Sequence, residues 1–584
     1  MRGFKSLLLV SVVGLVIECW PGRSLAAGID SAAAWVPQNA PAALVVKNPA
    51  SLIEQWEKSP LRQAVANNPG FQAVLNNPGI KQADALVGLV EVHTKKDRWT
   101  LLKQALGGGL FVAALPQGEV VVIAEAQDGK VLRDVHEFLL GLAKLDAENK
   151  GQPDRVKSAD YRGVTAWTFG GDEVHAIVEN RLILVNKPEL MKQIIDRIQD
   201  SHGGSLRDNP KFTAAEKATA DHNLVLYLDL ETLRALPNVQ KGLEQSRQPL
   251  PILLLAGTIT ALQKAPWLAV GLSIEGSRVT GTLQTGEVAQ WPEPLAFALA
   301  PGKDGALPPI HVPGTVFTAS FYRNLRDFYA QKNELFPERT SGLIFFENMM
   351  GIFFTGRNFT EEVLAELEPY VRVVVAEQRY SPEIGTPAVQ LPAMAVVFRM
   401  KNPKKFQPVV EEGFQKALGL INFVRGQDAK PGMILDRPVY KGVKYTLAYF
   451  NPDPDGDKEH ADIRFNFSPV LACRDRDLIL STAEPLAKDI LDALAEQEAA
   501  VQNVHKAVTT HLELLGTQIV RLLEVNKEAL IAQNMAEKGH SRERAETELS
   551  QLLMVLRMLN EFRLTESFHN HSNRWDFQLE LIKP

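Results

Sequence analysis

Polar and apolar residues alternate one for one at several places in the chain. Val174, Ala176 and Val178 are set against Glu173, His175 and Glu179, and Ile463, Phe465 and Phe467 against Arg464, Asn466 and Ser468. Successive side chains on a strand point to opposite faces, so this period of two predicts antiparallel strands with one buried face. Elsewhere the spacing is three to four. Leu190, Ile194 and Ile198 line one side of a helix, and Leu486, Ile490 and Leu494 line another. Longer helices are expected over 131–145 and 406–421, each after an apolar strand, 120–124 and 394–398. Toward the end of the chain, 505–526 and 541–562 both carry helical periodicity. Ser541 is the expected N-cap, and Lys538-Gly539-His540 separates the two. Helices packed on one face of a mainly antiparallel sheet, with extra helices near the C-terminus, make an α+β fold.

The order of these elements occurs twice. Tyr161-Arg162-Gly163-Val164 opens a strand through Trp167 and Phe169, and Tyr440-Lys441-Gly442-Val443 opens one through Tyr445, Leu447 and Tyr449. Arg181-Leu182-Ile183-Leu184 then leads into a helix at Pro188, and Asp477-Leu478-Ile479-Leu480 into a helix near Pro485. Each half closes on an expected hairpin, turning at Glu275-Gly276-Ser277 in the first and over 570–573 in the second. The matched order predicts a tandem duplication of one large unit. Pro301, Gly302, Gly305, Pro308, Pro309 and Pro313 crowd the region between, where proline removes donors and fixes φ. The expected division is 27–300, a Pro/Gly-rich linker over 301–313, and 314–584.

The first residues have a different pattern. Arg2 and Lys5 precede an apolar run from Ser6 to Ile17, and Ser24-Leu25-Ala26 places small residues where a signal peptidase reads. The run is too short for an ordinary membrane span, so residues 1–26 are expected to be a cleaved signal peptide. The alternatives are an uncleaved anchor and lipidation at Cys19, where Glu18 occupies the place of a small residue. Cleavage leaves Cys473 as the single cysteine, which excludes an internal disulfide. Cys473 follows Val470-Leu471-Ala472 and is expected to be a buried, inert thiol. The formal net charge is −6 with the signs interspersed, which leaves no basic stripe for nucleic acid. The segment 250–262 is too short to span a membrane and contains Pro251 and Gly257. It is expected to be a buried helix, and peripheral membrane attachment is its alternative.

A family resemblance rests on a set of structural motifs. These are Pro41-Ala42-Ala43-Leu44-Val45-Val46-Lys47, the turns Ser59-Pro60 and Asn68-Pro69-Gly70-Phe71, and the strands opening at Tyr161 and Arg181. The turn Asn209-Pro210-Lys211-Phe212 and the strand Leu224-Val225-Leu226-Tyr227-Leu228-Asp229 complete it. In these the chain resembles a family of secreted bacterial proteins known only as a domain of unknown function. The resemblance implies export and a fold. It implies no activity and no catalytic residue.

Candidate chemistry is concentrated in the segment 451–462. As a twelve-residue calcium loop it offers oxygens from Asn451, Asp453, Asp455, Asp457, Glu459 and Asp462, with Gly456 at the sixth position, where the chain must turn. Asn451 and Asp462 depart from the usual first and last ligands, Pro452 and Pro454 interrupt the loop, and strands flank it. The alternative is a hairpin loop whose carboxylates face water. His569-Asn570-His571 spaces two imidazoles so that they could share a strand face and bind a metal, but no third ligand is identifiable, and a hairpin tip with two exposed histidines is the expected reading. Gly107-Gly108-Gly109 lacks the Lys-Ser or Lys-Thr of a phosphate loop and is expected to end a helix before a strand. Glu173, His175 and Arg464 lie on polar sheet positions, as a binding surface or as a solvated or helix-covered face. The sequence contains no Gly-x-Ser-x-Gly elbow, His-Glu-x-x-His or Walker loop. The expectation is an exported, non-catalytic binding or scaffold protein of the periplasm or extracellular space. Its partner would be a protein or polymer of the envelope, and no cofactor is expected beyond calcium. The alternative is a secreted hydrolase with a structural calcium loop.

Overall fold

The computed structural model describes residues 29–58, 77–200, 204–235, 249–298, 305–336, 341–453, 456–499, 508–569 and 571–582. The signal segment, the turns at 59–60 and 68–71, Pro301-Gly302, Asp455 and Asn570 lie outside them. The chain divides into two compact units. One comprises the described residues up to 235 with Leu262–Val288, and the other those of Lys241–Ala261 and Ala289–Ile582.

The first unit is built on the strands β1 (Ala42–Val46), β2 (Gly109–Ala114), β3 (Val120–Glu125), β4 (Lys157–Tyr161), β5 (Val164–Thr168), β6 (Val174–Val178), β7 (Arg181–Val185), β8 (Leu224–Asp229), β9 (Trp267–Glu275) and β10 (Arg278–Thr285). All pairings are antiparallel, in the order β10-β9-β8-β1-β2-β3-β7-β6-β5-β4. Its helices are α1 (Pro49–Lys58), α2 (Pro78–Thr94), α3 (Arg98–Leu106), α4 (Gly129–Asn149), α5 (Pro188–Asp200), α6 (Pro210–Ala218) and α7 (Leu230–Arg234). Next in the chain is α8 (Pro249–Lys264), which belongs up to Ala261 with the second unit.

The second unit has β11 (Thr315–Tyr322), β12 (Leu367–Ala376), β13 (Ala393–Met400), β14 (Ile434–Asp436), β15 (Val439–Tyr440), β16 (Val443–Tyr449), β17 (Val470–Arg474), β18 (Asp477–Ser481), β19 (Val508–Leu515), β20 (Leu559–His569) and β21 (Ser572–Leu581). Their antiparallel order is β21-β20-β19-β11-β12-β13-β18-β17-β16, with β14 and β15 both on β16. Strand for strand this is the order of the first unit. The helices are α9 (Leu325–Ala330), α10 (Lys332–Leu335), α11 (Ser341–Phe353), α12 (Pro403–Gln427), α13 (Glu484–Ala499), α14 (Gly516–Val525), α15 (Lys527–Lys538) and α16 (Arg542–Leu556).

The chain is therefore α+β, but its helices cover both sheet faces rather than the one expected. Val121 and Ile123 of β3 join the core under α5 and α6, where Leu190, Ile194 and Phe212 are buried. Their neighbours Val122 and Ala124 join the opposite core, under Leu52 and Ile53 of α1 and Trp99 of α3. In the second unit Ile479 packs under α13, while Leu478 and Leu471 meet Phe406 and Val410 of α12. Successive strand residues point oppositely, so a strand apolar at every position needs cover on both sides.

Three further expectations change. Ile463–Asn466 is a short 3-10 helix, not a strand, because Asp462 caps it by accepting from the Arg464 amide. Of the segment expected to be helical over 505–526, residues 505–507 lie outside the described residues and the rest is strand β19 followed by α14. That expected over 541–562 ends as strand β20. Gly539 and Ser541 behave as anticipated. Gly539 ends α15 at φ 66, and the Ser541 hydroxyl accepts from the Arg544 amide to start α16.

The repeated Tyr-basic-Gly-Val sequence has a structural cause. Arg162 and Gly163 have φ 49 and 80, and Lys441 and Gly442 have φ 47 and 85. Two successive positive φ values make the tight hairpin turn whose twist suits its strands. In the first unit Tyr161 Oη donates to Asp196 at 3.2 Å, and Arg162 is ion-paired to Asp196 and Asp200, all on α5. In the second, Tyr440 Oη donates to Asp492 at 2.9 Å and Lys441 Nζ lies 2.8 Å from it, on α13. Each turn thus clamps the helix that follows the β6–β7 or β17–β18 hairpin.

Candidate functional site

Two carboxylates of the acidic loop, Asp457 and Asp462, are engaged in forming it. Asp457 accepts from the amides of Glu459 (2.9 Å) and His460 (3.2 Å), and these bonds hold its carboxyl below the ordinary value. Asp462 is committed to the 3-10 cap. Lys458 O accepts from Thr386 N, and Ala461 N donates to Thr386 O, which ties the loop to the segment 385–388. Gly385, at φ 80, is needed there because a Cβ would fall 2.3 Å from Lys458 O. Among the described residues no group of three or more His, Cys, Asp or Glu side chains is placed to hold a metal. His571 lies just before β21 at φ 62. Gly107 ends α3, and Gly109 starts β2 so close to Ile29 that a Cβ would fall 2.3 Å from the Ile29 Cβ.

The remaining candidates separate between the units. His175, on β6, is 6 % exposed. Its ring stacks on Phe169 at 4.8 Å and meets His136 of α4 edge-on at 5.1 Å. Among the described residues Nε2 of each histidine has no hydrogen-bond partner, and burial pushes His175 down to about 4. Arg464, in the second unit, lies over the rings of Phe450 and Phe465. Cys473 packs beside α12 and is half-buried rather than buried as expected, and desolvation pushes its thiol up to about 12.

Sequence reasoning missed two features of the second unit. The first is a carboxylate between two imidazoles. Glu513 of β19 accepts from His311 Nε2 at 2.5 Å and from His511 Nε2 at 2.9 Å, with Arg563 Nε at 3.7 Å. The three residues lie far apart in sequence, except that His511 and Glu513 share a strand face at a spacing of two, which is the only legible signal. The hydrogen bond to Glu513 raises the His311 pKa, and the two imidazoles hold Glu513 well below the usual carboxylate range. The folded state therefore favours a charged His311 and an ionised Glu513. Its share of stability from His311 is complete below the ordinary histidine value and is lost as pH rises through the raised one. In a two-dimensional NMR titration His311 is expected to titrate above 6.5. Glu513→Gln should return it to that value or below, and an unchanged midpoint would refute the coupling.

The second is the exposed side of α11. Eight of its thirteen residues are large and apolar, and Glu347 is its single charge. A helix apolar on nearly every side is normally buried, yet here only Leu343 is. Phe345 is 66 % and Ile352 50 % exposed, and Ile344 and Phe346 are also exposed. Glu347 is turned inward, paired with Lys332 at 3.2 Å and accepting from Tyr329 Oη at 3.1 Å. Rings of Tyr329, Phe346 and Phe359 pack edge to face beneath the helix and hold its orientation. The helix α12, packed against α11, leaves Ile421, Phe423 and Val424 exposed. This is the surface of the second unit best suited to binding, because apolar patches of this kind mark interaction sites.

No protein-family model and no curated protein matches the chain. Solved structures with some likeness include three crystal forms of TP0453, each 11 % identical. Form III covers 45 % of this chain and 82 % of its own at a TM-score of 0.23. Form I covers 44 % and 79 % at 0.23, and form IV 48 % and 87 % at 0.24. A similarity at this score carries no argument about fold or function. No helix among the described residues is long and apolar enough to cross a membrane.

Proposed function

We propose that this is an exported, non-catalytic binding or scaffold protein, formed by duplication of one α+β unit, which acts through the exposed face of α11. The exposed Phe345–Ile352 surface carries this reading, because leaving such side chains in water forfeits roughly 1.5–3 kcal/mol each that burial would recover. The matched strand orders and the paired Tyr-basic-Gly turns support the duplication. The charged, apolar and small-residue zones of 1–26 support export. A photo-crosslinking residue placed at 345 in cells is expected to form adducts that the same residue at Asp428, an exposed polar position, does not. Equal yields at the two positions would remove α11 as the binding surface. Export has its own check: N-terminal sequencing of the secreted protein should begin at Ala27, and a chain that keeps Met1 or Cys19 would overturn the cleavage.

A further inference from the structure

We propose that α11 pairs with α11 of a second copy of this chain, with Asn348 facing Asn348 across a twofold axis. This rests on reading α11 as the binding surface and names its partner.

Ser341, Phe345, Asn348 and Ile352 are all exposed and recur at intervals of four, three and four. That spacing puts them on one line along the helix, the seam along which two helices pack. Phe345 and Ile352 supply apolar knobs on either side of Asn348, and Ile344 lies beside them. Among the described residues nothing lies within 4 Å of where a Cβ on Gly351 would stand, which leaves room there for a second helix. A lone asparagine in such a seam costs stability against apolar partners and is satisfied best by another amide, which both donates and accepts. A second α11 supplies that amide at the matching height, whether the helices run parallel or antiparallel.

Charge argues for a second copy over lipid. The chain is acidic overall and α11 carries no basic residue, so an anionic lipid surface has nothing to attract it. At about 1.5 Å per residue the thirteen-residue helix is about 20 Å long, too short to span a bilayer. The exposed apolar side chains of α11 amount to on the order of 400 Å², against about 800 Å² per partner in a standard interface. Self-association is therefore expected to be weak, with a micromolar dissociation constant.

The test is sedimentation of the full mature chain over a concentration series, with charge variants at the seam. The wild type should pass from monomer to dimer, and Phe345→Glu should weaken the dimer at least tenfold. Asn348→Asp and Asn348→Lys should each be monomeric alone and associate when mixed, because a charge placed once appears twice at a twofold contact. Both positions are exposed, so the melting temperature should not move. A wild type that stays monomeric at the highest concentration, or variants that fail to associate on mixing, would overturn the pairing. The binding-surface reading is judged separately by a dye that fluoresces on apolar surface. If the protein is monomeric but its dye signal is lost in Phe345→Glu, only the self-pairing fails. If the dye signal is the same in both proteins, the binding surface fails as well. Co-sedimentation of a monomeric wild type with phosphatidylcholine vesicles, abolished by Phe345→Glu, would assign the face to lipid and overturn the pairing.

Discussion

Glu566→Ala is expected to destabilise the second unit by about 3–5 kcal/mol, the cost of leaving a buried charge without its partner. Arg323 is 2 % exposed and Glu566 1 %, with Arg323 Nη2 3.3 Å from Glu566 Oε2. The guanidinium also donates to the carbonyls of Leu253 (2.7 Å) and Leu254 (2.8 Å) on α8, to Tyr322 O, to Thr509 O, and to Thr510 Oγ1 at 3.0 Å. Glu566 in turn accepts from Thr510 Oγ1 at 2.8 Å, Asn573 Nδ2 at 2.9 Å and Thr258 Oγ1 at 3.0 Å. Thr510 thus passes one hydrogen bond along, accepting from the cation and donating to the anion. Burial already disfavours the charged arginine, and Glu566 opposes that effect. Removing the carboxylate leaves the cation uncompensated, whereas removing both charges does not. Thermal unfolding should therefore show a large loss for Glu566→Ala and substantial recovery in Arg323→Met/Glu566→Leu. A single-variant loss below about 0.5 kcal/mol would show that the network is not coupled to unfolding.

The second large effect is a loss of stability in acid through His175. The unfolded imidazole takes up its proton near 6.5, but the buried ring, against Phe169 and His136, resists it down to about 4. Between those values the unfolded chain binds a proton that the folded chain refuses, so stability falls as pH falls from about 6.5 to about 4. The size of the displacement corresponds to roughly 3 kcal/mol. His136 adds to the effect in the same direction, because burial lowers it too, while Glu137 on the same helix opposes it in part. His175→Phe keeps a flat ring on Phe169 and cannot titrate. Its stability should be nearly level across that window apart from the share of His136. A variant that loses stability on acidification as steeply as the wild type would assign the acid sensitivity elsewhere.

Both predictions depend on residues whose importance is hard to see in one dimension. His175 appears in the sequence as a polar residue on an alternating strand, and nothing local says that α4 brings His136 over it. Arg323 and Glu566 lie on β11's flank and β20, and their pairing requires both strands to be placed on either side of β19. The misread segment 508–515 shows the same limit. Val508, Thr510, Leu512 and Leu514 suit a strand, and Leu512, Leu515 and Ile519 suit a helix, so pattern alone leaves the choice to the sheet that needs a strand there.

Much of the fold was nonetheless written locally. The α+β class, the helix break at Gly539 and the Tyr-basic-Gly turns follow from side-chain periodicity and from positive φ. These are properties of a few neighbouring residues, so the sequence by itself determined them. The cover on both sheet faces was also present, in the unbroken runs 120–124 and 110–113, where a strand with one wet face would have alternated. The tertiary structure alone decided what meets what: Glu513 between His311 and His511, Arg323 against Glu566, and the exposed face of α11. Those outcomes depend on which elements pack side by side. That choice is made by the burial of many residues at once, and no local spacing records it.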